Sequence, residues 1–274
     1  TKWPLPEFYR GPWGTGSDPA LRILGMSTCA RYRESVPAGT RIPGVAGLFN
    51  SGTNLMYQLM SRNCMFEGLN AAKFQVQVPW GKHRPLGLRD SMPVRRKRPW
   101  KLEQVLPVTV VKDPLTWMKS MCQSPYAALI RGRSNRSCSS VPVAATEVMV
   151  TWGPAGHKLR VTYPSLVHLW SAWYRAYADS GLPRLVVRYE DLLFDTERTV
   201  RAVCSCFGGE ASSAGFREFA EPAKGHGSGT DQAAALAKYS SSKYRLGGYT
   251  PADLDFVRTT AGDLARQFGY DSFD

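Results

Sequence analysis

The 274-residue chain is poor in cysteine, in histidine and in long apolar segments. Six cysteines are too few for a disulfide scaffold, none form a Cys-x-x-Cys pair, and the four histidines have no cysteine partner at zinc-finger spacing. The longest uncharged stretch, 42–61, contains glycine, proline and several polar residues. It therefore does not predict the apolar helix of roughly 20 residues that crosses a bilayer. These deficits argue against a disulfide-rich peptide, a metal-finger domain and a membrane-spanning helix.

The compartment is left open by the sequence. Cys122 and Cys138 are a candidate pair across a loop, and Asn135-Arg136-Ser137 fits a glycosylation acceptor, a weak sign of the secretory route. A targeting segment or membrane anchor outside these residues is also left open. The two alternatives are the Golgi lumen, behind a trimmed membrane anchor, and the cytoplasm.

Acidic residues are in deficit, with 22 Asp and Glu against 35 Lys and Arg, for a formal net charge of +13. This surplus predicts an anionic partner, such as a phosphate-bearing ligand, an acidic polymer or a membrane surface. Segment 82–101 carries eight Lys or Arg and one Asp. One interpretation is that this segment binds an acidic or already sulfated acceptor. The candidate contacts are then Arg95, Arg96 and Arg98 within the segment and Trp80 just before it. A solvated loop is the alternative. Nucleic acid is not expected, because no recognition-helix, zinc-finger or RNA-binding signature is present.

Short apolar runs alternate with helical patterns through residues 41–274. Such alternation requires crossover connections and predicts an α/β fold of three layers, with a mostly parallel central sheet and helices on both faces. The proline- and glycine-rich residues 1–40 are expected to form an arm packed on this single domain. Residues 131–163 are expected to be an inserted loop and β-hairpin. Strands are predicted at 45–49, 74–78, 106–111 and 185–187.

A polar cluster follows each of these four predicted strands, at 50–53, 80–83, 112–113 and 188–191. Ligands of open α/β sheets bind at the carboxyl ends of the strands, so the four clusters predict one common site.

The first cluster has the composition of a phosphate-binding loop. Small residues from Gly47 to Gly52 allow backbone N–H groups to converge before a helix N-terminus, which binds phosphate. A nucleoside triphosphatase needs Lys after the second glycine, where this chain has Thr53, so an ATPase or kinase is disfavoured. The alternative is a plain strand-to-helix turn capped by Thr53.

Ser51-Gly52-Thr53, between a strand and a helix, resembles the 5′-phosphosulfate loop of the sulfotransferases that use 3′-phosphoadenosine 5′-phosphosulfate (PAPS). The resemblance spans roughly 42–270 and includes Lys112-Asp113-Pro114 with Ser120 eight residues after the lysine. It also includes Arg188-Tyr189-Glu190-Asp191-Leu192, Gly81-Lys82-His83, and the tail from Tyr249 to Tyr270.

The resemblance implies a P-loop sulfotransferase-like fold, PAPS as donor, adenosine 3′,5′-bisphosphate (PAP) as product, and no metal. His83 is implied as the general base, with Glu190 or Asp191 as the alternative. The residues implied in donor binding are Asn50, Ser51, Gly52, Thr53, Asn54, Lys112, Ser120 and Tyr189.

Two residues depart from the family pattern. Asn50 stands where the family usually has Lys or Arg, and we expect Lys82 to supply that charge in catalysis. Lys112 stands where Arg is usual, which loses a bidentate phosphate contact. The expected function is sulfation of an acceptor hydroxyl, with carbohydrate as the leading acceptor. The alternatives are a small hydroxylated metabolite and a non-catalytic module that binds PAPS or a polyanion.

Overall fold

The computed structural model describes residues 3–9, 22–66, 74–91, 100–130, 146–153, 158–218, 232–270 and 273. Its strands are β1 (Ile23–Leu24), β2 (Ile42–Ala46), β3 (Cys64–Met65), β4 (Val105–Val111), β5 (Ala128–Ile130), β6 (Val148–Trp152), β7 (Leu159–Tyr163), β8 (Leu185–Arg188) and β9 (Glu210–Ala211). Its helices are α1 (Cys29–Ser35), α2 (Thr53–Asn63), α3 (Pro114–Gln123), α4 (Leu166–Ala178), α5 (Tyr189–Phe194), α6 (Thr196–Cys206), α7 (Gln232–Tyr239), α8 (Ser242–Leu246) and α9 (Pro251–Gln267).

The fold is α/β, as the alternating pattern predicts, with an open central sheet in the order β1-β8-β4-β2. Strands β2, β4 and β8 are parallel, while β1 is antiparallel to β8, so the sheet is mixed. The register pairs Val111 with Arg188 and Ala46 with Thr109. Residues that follow these strands, including Lys112 and Tyr189, therefore leave the sheet at the same edge.

The prediction of a strand at 74–78 is wrong. One parallel bridge joins Gly44 and Gln75 beside β2. Val78, rather than Gln77, then donates its N–H to the carbonyl of Val45, at 3.0 Å. The backbone has moved out of register by one residue after a single bridge, so the ladder stops. The segment still runs along β2 and delivers Lys82 and His83 to the end of that strand.

The predicted N-terminal arm contains regular structure that the sequence did not suggest. It supplies β1 and α1, and Cys29 of α1 forms a disulfide with Cys206 of α6. A second disulfide joins Cys64 to Cys204. These two disulfides link α1 and β3 to α6.

Cys122 is also disulfide-bonded. Its predicted partner Cys138 and the Asn135–Ser137 triplet lie outside the described residues.

The core forms as the periodicity predicts. Helix α4 buries an aromatic run against α9, and Trp170, Trp173, Tyr174 and Tyr177 are all core residues. The predicted hairpin is present as β6 and β7, and β5, which was not predicted, adds a third antiparallel strand. Among the described residues, no helix is long and apolar enough to cross a membrane.

Candidate functional site

The loop after β2 is built so that only glycine fits at its two ends. Gly52 has φ of 92°, and a Cβ there would lie 2.4 Å from Cδ2 of Tyr189. A Cβ on Gly47 would lie 2.8 Å from the carbonyl oxygen of Val110. Gly52 is also the N-cap of α2 and has no side chain to accept from the first turn of the helix. The loop therefore presents a helix N-terminus, which favours anions, packed against the Tyr189 ring.

Lys82 and His83 reach this loop from the neighbouring segment. The Lys82 carbonyl accepts the N–H of Gly47 at 2.8 Å, and its ammonium donates to Oδ1 of Asn54 at 2.6 Å. Because Asn54 is the second residue of α2, a cation lies beside the helix N-terminus. Gly81, with φ of 101°, makes the turn that directs the two side chains into the site.

The hydrogen bond of His83 fixes its tautomer. Its Nδ1 lies 2.7 Å from the carbonyl oxygen of Gly47, which can only accept, so Nδ1 carries the proton. The neutral ring then has its lone pair on Nε2, which is the form that a general base needs. Trp173 donates its indole N–H to the His83 carbonyl at 2.8 Å and holds the backbone in place.

Lys112 and Ser120 lie together, as their spacing of eight residues requires. The buried ammonium of Lys112 donates to Oγ of Ser120 at 3.0 Å and to the Tyr239 hydroxyl at 2.5 Å. It also lies 4.8 Å from the ring centroids of both Tyr189 and Tyr239. The pKa of Lys112 is lowered to about 7, chiefly by burial; Glu190 opposes the shift, and nearby Lys238 adds to it. A buried ammonium that contacts hydroxyls and aromatic faces is suited to an incoming anion.

Carboxylates at the ends of β4 and β8 support this lysine. Glu190 accepts the N–H of Asp113 at 3.2 Å and the Tyr270 hydroxyl at 2.7 Å. Burial, together with the charge of Asp113, raises the pKa of Glu190 to about 7. Asp113 caps α3 by accepting from Thr116 and pairs with Arg245 at 2.8 Å.

Asp191 forms a buried pair with Arg188 at 2.7 Å. Glu190 and Asp191 are thus engaged by a backbone N–H, a tyrosine hydroxyl and a buried arginine.

Asn50, at the position where a cation was expected, makes hydrogen bonds to backbone carbonyls. It adopts φ of 60°, and its amide nitrogen donates to the carbonyls of Ser124 at 2.7 Å and Ser120 at 3.2 Å. The amide thus binds the loop to the end of α3. Two other loop side chains are buried: Ser51, whose hydroxyl donates to the Leu48 carbonyl at 2.8 Å, and Thr53.

Of the four acceptor contacts proposed from sequence, the structure describes Trp80 alone. Arg95, Arg96 and Arg98 lie outside the described residues. Trp80 is fully buried, donates to the Tyr177 hydroxyl at 2.8 Å and packs beside Trp100. Its ring has no face open to a ligand, which argues against a role in binding substrate.

Sequence reasoning missed two features of the site. Tyr239 contacts Lys112 across 127 residues of sequence, and no local pattern indicates that pairing. Phe49 lies 4.6 Å from His83 between ring centroids, and its apolar side chain was read only as part of a strand.

The described ranges contain no group of three or more His, Cys, Asp or Glu side chains that could hold a metal ion. No protein-family model, no curated protein and no solved structure matches the chain.

Proposed function

We propose that the protein is a sulfotransferase that uses PAPS to sulfate a hydroxyl group, with a carbohydrate as acceptor. One observation carries the proposal. The Tyr189 ring packs on Gly52 of the loop and also lies 4.8 Å from the Lys112 ammonium. A single aromatic residue thus touches both predicted phosphate sites, which suits a nucleotide with phosphates at both ends of its ribose.

The residues present fit the donor in both places. At the loop, a glycine where any Cβ would collide, an uncapped helix N-terminus and Lys82 are suited to a 5′-phosphosulfate. At the second place, Lys112 and Ser120 are suited to a 3′-phosphate. Tyr189 contacts both places, and we assign it the contact with adenine that the resemblance implies.

The chemistry assigned to the chain's own residues is proton removal and charge stabilisation. PAPS supplies an activated sulfuryl group, which passes to the acceptor oxygen as its bond to the phosphate oxygen breaks and PAP is left. His83, with its lone pair on Nε2, accepts the proton of the acceptor hydroxyl. Lys82, beside the N-terminus of α2, stabilises negative charge on the departing phosphate, the part that Asn50 lacks the charge to perform.

The disulfides bear on the cellular compartment of the protein. The disulfides at Cys29–Cys206 and Cys64–Cys204 favour an oxidising compartment, so we propose the Golgi lumen over the cytoplasm.

The competing function is a non-catalytic PAPS- or polyanion-binding module. It is favoured only by Asn50, whose amide nitrogen is engaged by α3.

The donor assignment is tested by comparing PAP with 5′-AMP, which lacks the 3′-phosphate, in thermal shift and calorimetry. Saturating PAP at about 100 times its dissociation constant is expected to stabilise the fold by about 2.7 kcal/mol. Lys112→Ala and Ser120→Ala should weaken PAP far more than 5′-AMP. No shift with PAP, or equal losses for the two nucleotides, would contradict the donor assignment.

A further inference from the structure

An aromatic cluster borders the proposed base, His83. Phe49 lies nearly parallel to the Tyr126 ring, at 6.0 Å and 16°, and to the Trp152 ring, at 5.7 Å and 9°. It also lies 4.6 Å from the His83 ring. Trp117 donates its indole N–H to the Phe49 carbonyl at 2.7 Å and fixes the backbone below the cluster. We call Phe49, Tyr126 and Trp152 the aromatic platform.

The members of the platform differ in exposure. Trp152, on the inserted hairpin, is buried and serves as the back wall. Tyr126 is 45% exposed, although it is a large aromatic residue in contact with another ring. The platform therefore begins at Phe49, beside His83, and includes a partly exposed ring, that of Tyr126.

The backbone at Tyr126 is strained. Its φ is 52°, in a turn closed by the hydrogen bond from Ala128 N–H to the Pro125 carbonyl at 2.9 Å. The first central position of a turn with positive φ is normally filled by glycine or asparagine. A bulky side chain there is costly and persists only when its surroundings hold it, a pattern found at functional sites.

The hydrogen bonds of Asn50 stabilise the backbone next to Tyr126. Its amide binds the carbonyls of Ser120 and Ser124, the last of which directly precedes Pro125-Tyr126. Since Asn50 also follows Phe49 in sequence, one side chain ties the Phe49 loop to the Tyr126 turn. Asn50, which stands where the family usually has Lys or Arg, is thus the residue that joins the two segments of the platform.

The platform distinguishes between acceptor classes. A small planar phenol is best bound by an enclosed apolar slot that covers both faces of its ring. The rings here are too close to admit a second ring between them, and the outermost, Tyr126, is open to solvent. The C–H groups on one face of a pyranose carry partial positive charge and suit the negative face of such an exposed ring. Its hydroxyls remain in water, except the one that reaches His83.

We propose that Tyr126, supported by Phe49 and positioned by Asn50, is the platform on which the acceptor sugar stacks, so that the substrate is a pyranose of a glycan. This inference rests on the proposed sulfotransferase function and adds the residues that select the acceptor.

The test uses Tyr126→Gly, which removes the ring and also relieves the positive φ. The full chain is assayed for transfer from PAPS to desulfated heparin, chondroitin, a desulfated galactan and 4-nitrophenol. The wild-type protein is expected to sulfate at least one of the glycans. For that glycan Tyr126→Gly should raise KM at least tenfold, leave the KM for PAPS within twofold, and leave the melting temperature equal or higher.

Two comparisons sharpen the result. Tyr126→Phe, which restores a ring, should lower the glycan KM at least fivefold relative to Tyr126→Gly. Leu129→Ala, which alters an exposed residue on adjacent β5, should leave the glycan KM unchanged.

The inference is overturned by an unchanged glycan KM in Tyr126→Gly, by a fall in its melting temperature that parallels the loss, or by sulfation of 4-nitrophenol alone. A wild-type protein that is stabilised by PAP but sulfates none of the glycans also overturns it. A wild-type protein with neither a PAP shift nor any transfer would instead remove the proposed function itself.

Discussion

Binding of PAP is expected to carry a proton into the protein at Lys112. Burial holds the pKa of this ammonium at about 7 in the ligand-free protein. A dianionic 3′-phosphate within hydrogen-bonding distance favours the charged form and raises the pKa of Lys112 towards its ordinary value. Because the bound pKa exceeds the free pKa, PAP affinity is fully present below pH 7 and is lost as pH rises above it.

The size of the effect follows from that pKa. At pH 8, roughly one tenth of the ligand-free protein carries a charged Lys112, so each PAP bound should take up about 0.9 proton. Between pH 7 and pH 9, the charged fraction falls from about one half to about one hundredth, and the dissociation constant should rise about 50-fold. No such rise is expected for 5′-AMP, which has no group to place at Lys112.

Calorimetric titration at pH 8 in two buffers of different ionisation enthalpy, HEPES and Tris, measures the uptake directly. Lys112→Arg is the matched control, since arginine stays charged at this pH and its variant should take up no proton. Glu190 has its pKa raised to about 7 and titrates in the same window, so Glu190→Gln separates the two groups. Equal heats in both buffers for the wild-type protein, uptake that survives in Lys112→Arg, or uptake that disappears in Glu190→Gln would refute the reasoning.

Two other predictions concern the frame of the site. Gly52→Ala should weaken the binding of PAP at least tenfold, because the new Cβ would meet the Tyr189 ring. The control is Gly248→Ala: Gly248 has φ of 85° and open space around it, so the variant should lose only roughly 1–2 kcal/mol of folding stability through left-handed strain. Equal PAP affinity in the two variants would contradict the packing of Tyr189 on the loop. Replacing Cys64 and Cys204 together by serine should lower the urea-unfolding free energy by about 2–5 kcal/mol, and a loss below 1 kcal/mol would contradict a stabilising role for this disulfide.

The features that were predictable from sequence are those fixed by local physical rules. Apolar periodicity located α4 and its buried aromatic face, and the capping preference of Thr250 located the start of α9. The eight-residue spacing of Lys112 and Ser120 was enough to bring the two together, because Pro114 starts a helix between them. Strand ends in a parallel sheet share an edge, which is why the four clusters were expected to meet.

The features that were missed depend on contacts between distant residues. The two disulfides join cysteines 177 and 140 positions apart, and no spacing rule reaches that far. The contacts of Tyr239 with Lys112 and of Tyr126 with Phe49 likewise join residues that are distant in sequence. The sequence showed only that Asn50 lacks the charge of the family's usual Lys or Arg, and its position gave no sign that its amide would bind the end of α3.

The most direct test of the central claim is single-turnover transfer of labelled sulfuryl from PAPS to a glycan acceptor by the wild-type protein and by His83→Ala. The assignment of His83 as base predicts transfer by the wild-type protein and a rate lower by about 10²–10⁴-fold in the variant, with PAP affinity kept. Transfer at the wild-type rate in His83→Ala would contradict that assignment, and no transfer by the wild-type protein to any hydroxyl acceptor would contradict the claim that this site moves a sulfuryl group.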